Sequence, residues 1–86
     1  MNYDVAHIRE QGQDIIIIMV SNQPTPAQEL QLQQCATEAG LIGTVVPVWS
    51  SGFSLQFIAP IQWHPFFRNI THEFIASRIN RKLTCI

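Results

Sequence analysis

The stretch Asp14-Ile15-Ile16-Ile17-Ile18-Met19-Val20 constrains the fold more than any other feature of the chain. Successive side chains of a β-strand point to opposite faces, so an unbroken apolar run rich in β-branched residues needs cover on both sides. The run is far shorter than the roughly 18 residues that span a bilayer. It therefore predicts a central strand. Residues 3–9 read as an earlier strand, and Glu10-Gln11-Gly12-Gln13 as the turn between the two, with Gly12 free to adopt positive φ.

The plainest helix signal follows. Thr25-Pro26-Ala27-Gln28 combines an N-cap threonine, a proline at the first helical position and a glutamine placed to close a capping box. The helix runs to about Ala39 and stops at Gly40. Leu32, Cys35, Ala36 and Ala39 form its apolar stripe, whose small side chains suit close packing on a sheet. Residues 44–50 form a strand that Pro47 places at an edge or a bulge. Residues 53–60 alternate cleanly, with Phe53, Leu55 and Phe57 on one face and Ser54 and Gln56 on the other.

Residues 65–80 look helical, with Phe67, Ile70 and Phe74 on one side and Ile75, Ile79 and Leu83 turned away from them. A stripe this broad has two explanations. Either the helix ends early and a short strand at 83–86 follows, or its second apolar side meets another subunit. The order β-β-α-β-β-α predicts a single α+β domain over residues 1–86, a two-layer sandwich with a mixed, mostly antiparallel sheet of four or five strands. Both helices are expected on one face, with a right-handed crossover between the parallel strands. The other face is then partly bare.

Composition strengthens that expectation. Charged residues make up 13% of the chain, about half the usual share. Residues 1–60 carry Asp4, Glu10, Asp14, Glu29 and Glu38 against Arg9, a net of -4, while residues 61–86 carry Arg68, Arg78, Arg81 and Lys82 against Glu73, a net of +3. Weak charge protection and a bare apolar face predict a homo-oligomer, a dimer by preference, with a different protein as a further partner class. A net charge of -1 disfavours nucleic acid, and neither a signal peptide nor a membrane span is evident, which predicts a cytoplasmic protein. Cys35 and Cys85 are expected as free thiols in a reducing compartment.

Chemistry-bearing motifs are sparse. In Ile61-Gln62-Trp63-His64-Pro65-Phe66-Phe67, proline pre-sets a helix start and the aromatic residues can staple that helix to the sheet. The functional counterpart is a binding pocket formed by Trp49, Trp63, His64, Phe66 and Arg68, with His64 as acid or base. His7, His64 and His72 lack metal-site spacing, no cofactor motif is present, and no catalytic residue is assigned. Gly40-Leu41-Ile42-Gly43 has the spacing of a backbone-clamping loop but apolar middle residues, so it reads as a helix stop plus connector. Arg78, Arg81 and Lys82 read as a solvated helix end. The expected role is non-enzymatic protein-protein interaction or regulation. The alternative is a small-molecule binding protein or minor enzyme using the pocket near Trp49, Trp63, His64 and Arg68.

Overall fold

A computed structural model describes residues 1–85. The elements are β1 (Asn2–Glu10), β2 (Gln13–Met19), α1 (Pro26–Glu38), β3 (Thr44–Ser51), β4 (Ser54–Phe57), a 3-10 turn (Ile61–Trp63), α2 (His64–Arg68), α3 (His72–Arg78) and β5 (Arg81–Thr84). They build one five-stranded mixed sheet in the order β4-β3-β2-β1-β5. β2 and β3 are parallel and the other three pairings antiparallel. The class is α+β, as the sequence predicts, and β2 is the middle strand. Ile15, Ile16, Ile17 and Ile18 each have 0% of their surface exposed.

The layering differs from the expectation. Ile16 and Ile18 pack with Val5, Leu32, Ala36, Leu41 and Leu83 on the face covered by α1. Ile15 and Ile17 pack with Ala6, Val46, Val48, Trp63, Phe67 and Ile75 on the opposite face, covered by α2 and α3. The helices therefore lie on both faces rather than one, and no two-layer sandwich forms. The physical reason lies in β2 itself. Both of its faces are apolar, and with α1 occupying one, the remaining aromatic segments cover the other. The bare sheet face that was to drive self-association is thus filled from within the chain. Among the described residues, the large apolar ones left exposed are Met1, Leu30, Ile42, Phe53 and Ile61, at separate places in the sequence.

The long helix expected over 65–80 is also two short ones. Asn69 ends α2 by donating its amide to Pro65 O (2.6 Å), and Thr71 caps α3 by accepting from Phe74 N (3.1 Å). Of the two explanations for the broad apolar stripe, the structure takes the first, since Leu83 belongs to β5. Asn80 prepares that strand. Its side-chain oxygen accepts from His7 N and its amide donates to His7 O, both at 3.0 Å, while Asn80 N donates to Val5 O. The residue thereby extends the β1 edge pairing by one step.

Pro47 sits in β3, second from the edge, and its missing donor is harmless there. Val48 O accepts from Val20 N on the β2 side, so Pro47 faces the β4 side, where Pro47 O accepts from Ile58 N. β4 ends at Phe57, so the proline lies where the ladder has already run out.

α1 begins and ends as its sequence specifies. Thr25 Oγ1 accepts from Gln28 N (3.2 Å), and Gln28 Oε1 accepts from Thr25 N (2.9 Å). At the other end Gly40 has φ +80, Gly40 N donates to Thr37 O, and Leu41 N donates to Ala36 O, a Schellman stop. Gly43 serves a different purpose. A Cβ on it would lie 2.6 Å from Asp14 O, so only glycine lets this connector pass the start of β2.

Cys35 and Cys85 are not free thiols. They form a disulfide with a Cα separation of 5.9 Å, tying the middle of α1 to the residue after β5 across 50 positions of sequence. The expectation failed because the fold, not the spacing, brings the pair together. Loop-closure entropy alone assigns such a crosslink about 4 kcal/mol. Among the described residues, no helix is long and apolar enough to cross a membrane.

Candidate functional site

Topology gathers several chain segments at one end of the sheet, on the α1 face. β2 ends there, and the 21–24 loop leads from it into the N-terminus of α1. Because β1 runs antiparallel to β2, it starts at that end, and because β5 runs antiparallel to β1, it finishes there. The crevice outside a parallel strand's C-terminal end, at the start of its crossover helix, is the usual place for ligands in such sheets. Here it is a cleft of about 270 Å³ lined by Met1, Tyr3, Val20, the loop residues Ser21, Asn22, Gln23 and Pro24, the α1 residues Gln28, Gln31 and Leu32, and Cys85.

Its lining is chemically specific. Val20, Pro24 and Leu32 supply apolar surface, while Asn22, Gln23, Gln28 and Gln31 supply carboxamides. Among the described residues, the lining includes no Asp, Glu, His, Lys or Arg side chain. The N-terminus of α1 offers little to an anion, because Gln28 N donates to Thr25 Oγ1 and Glu29 N to Thr25 O. Gln28 Oε1 is engaged by Thr25 N, so its amide group keeps donors to offer while the oxygen holds the cap. The Met1 amino group donates to Cys85 O, closing β1 against the end of β5 at the cleft wall. The Tyr3 hydroxyl makes only a 3.6 Å contact to the Met1 thioether, a weak acceptor. This surface selects for neutral groups that exchange amide hydrogen bonds.

The residues singled out in the sequence lie elsewhere and do not form one pocket. Trp63 is buried on the α2/α3 face, edge-to-face with Phe66 at 6.1 Å. Phe66 packs edge-to-face on Phe67 at 5.2 Å and on Phe74 at 6.2 Å. His64 Nε2 donates to Ala59 O (3.0 Å), and its ring stands on edge to Phe57 at 5.4 Å. These contacts fasten α2 to the sheet, which is the stapling role. Arg68 is exposed at the end of α2. Trp49 pairs with Gln56 in β4, one position out of phase with Val48 and Phe57 on the α2/α3 face. It therefore points to the α1 face, and the sheet separates it from Trp63. Trp63 Nε1 is a buried donor without a partner among the described residues.

Other clusters have structural employment. Asp14 accepts from Arg9 (3.4 Å) and meets His7 Nε2 (3.3 Å), while Arg9 also donates to Gly12 O, so the trio holds the first hairpin turn. The basic cluster is dispersed: Arg78 lies 4.8 Å over the Phe74 ring and Lys82 pairs with Asp4. No group of His, Cys, Asp and Glu suited to a metal occurs among the described residues. A second, more open groove of about 390 Å³ lies between Gln33 and Thr37 of α1, Pro47 of β3, and Ile58 and Pro60 after β4.

Sequence reasoning missed the cleft because its polar residues are amides, which carry no motif. The available signal was the loop between a buried strand and a strongly capped helix. Searches with family models, among curated proteins and among solved structures found no match to the chain.

Proposed function

We propose that this protein is a small, non-enzymatic recognition domain that receives an uncharged, amide-bearing segment of a protein partner in the cleft at the start of α1. The observation that carries this reading is the cleft's lining of apolar surface and carboxamides without a charged side chain. Its volume of about 270 Å³ supports a side chain or a two-residue piece rather than a whole drug-sized molecule. The test is an NMR titration with capped neutral dipeptides. Shifts should concentrate at Tyr3, Ser21, Gln28 and Leu32. Perturbation confined to Trp63, His64 and Phe66 would instead revive the aromatic pocket.

Self-association, as a dimer, is the second reading. The bare sheet face no longer supports it, but a charged fraction of 13% and a fully exposed Phe53 at the β3–β4 turn do. Light scattering of the native chain and of Phe53→Ser over a range of concentrations decides it: a monomer in both removes the reading. The Cys35–Cys85 disulfide weighs against the expected cytoplasmic location. A disulfide in that compartment is typically one that opens and closes, so the assignment goes together with a reducible Cys35–Cys85 bond.

A further inference from the structure

We infer that Cys85 is a site of thiol-disulfide exchange reached through the cleft, and that opening its bond to Cys35 releases the end of β5 from α1. The inference goes beyond the recognition role, because it depends on the cleft's shape and not on its natural occupant. Cys85 is 6% exposed and is one of the residues that line the cleft. Cys35, half-buried on α1, is absent from that lining. A small thiol seated in the cleft therefore meets the Cys85 sulfur first. Seating a neutral thiol among the carboxamides desolvates no charge of its own, and the Met1 ammonium beside Cys85 is already engaged by Cys85 O.

The exchange balances without another reagent. The thiol gives its proton to water, and the thiolate attacks Cys85 Sγ. The Sγ–Sγ bond breaks, and Cys35 leaves with the electron pair and takes up a proton. A mixed disulfide then joins the small thiol to Cys85. A second thiol attacks the small-molecule sulfur of that bond, releasing the oxidised small disulfide and the Cys85 thiolate, which is protonated. Two protein sulfurs are reduced and two small thiols oxidised.

The fold is arranged to survive this step. β5 stays paired to β1 from Asn2 to Val5, Leu83 stays in the core, and Leu32 and Ala36 still seat α1 on the sheet. What loses its restraint is the segment after Thr84 and the cleft wall made by Cys85 and Met1. The crosslink thus holds one wall of the candidate binding cleft.

The experiment treats the native protein with N-acetylcysteine amide, traps free thiols with iodoacetamide and maps the products by mass spectrometry. The expected first product carries the small thiol on Cys85 and the alkyl group on Cys35. Hydrogen exchange should then accelerate at Cys85, whose N–H is held by Met1 O, while β5 and α1 keep their protection. Leu32→Trp, which fills the cleft, should slow the reaction at least tenfold. Ser21→Trp, on the exposed loop at the cleft's mouth, gives a second obstruction that leaves the core untouched. An adduct on Cys35, undiminished rates in both folded variants, or no reaction short of denaturation would each overturn the inference.

Discussion

The two faces of the sheet are covered in opposite ways. On one, a single 13-residue helix with a full capping box and a Schellman stop lies over aliphatic side chains. On the other, a 3-10 turn and two short helices of five and seven residues are held by interlocking rings. A helix with satisfied ends keeps its shape by local hydrogen bonds and can leave a gap beside its first turn. Short helices depend on tertiary contacts for their existence, so their surroundings must be filled. The difference teaches where a vacancy is tolerated. The aromatic face is filled with packed rings, and the cleft opens on the α1 face.

The strongest way to break this contrast is Phe67→Ala. Phe67 is fully buried and stacks on Phe57 at 5.2 Å. Its loss should lower unfolding free energy by about 3–5 kcal/mol, read by urea denaturation, and should disorder α2 and α3 before α1. Removing the crosslink with Cys35→Ala and Cys85→Ala together should lower stability by about 2–4 kcal/mol. Hydrogen exchange should then rise near the cleft and not among the rings. Gly43→Ala drives a methyl group against Asp14 O, 2.6 Å from the ideal Cβ position. A loss of about 1–3 kcal/mol is expected, and a value near zero would show that the connector moves freely. The smallest effect is Thr25→Ala, about 1 kcal/mol from the lost cap. It should fray the first turn of α1 and weaken dipeptide binding in the cleft, whereas His64→Ala should leave that binding unchanged.

How much of this was legible depends on whether local sequence or the assembled fold decides each feature. Residues 15–18 identify the central strand, and Thr25-Pro26 with Gly40 locates α1 almost to the residue, because capping chemistry is local. The face chosen by the later helices was not legible. Periodicity says which side of a helix is apolar, and β2 offers equal apolar cover on both faces, so neither pattern selects one. The break at Asn69-Ile70-Thr71 was readable as a cap at Thr71, but the apolar spacing of Phe67, Ile70 and Phe74 runs straight through it. The disulfide and the cleft escaped for one shared reason. Cys35 meets Cys85, and Gln28 and Tyr3 come to line one cleft, only through the pairing of segments far apart in sequence. Conspicuous aromatic residues drew attention to the ring-packed face instead.

The position of β5 beside β1 also bears on biosynthesis. Asn2 pairs with Thr84, so β1 waits for a strand that follows it by nearly the whole length of the domain. Until residues 81–84 clear the ribosome, the nascent chain carries an open hydrogen-bonding edge along β1. In the interval, the half-formed protein is vulnerable to edge-to-edge pairing with its neighbours on the same message.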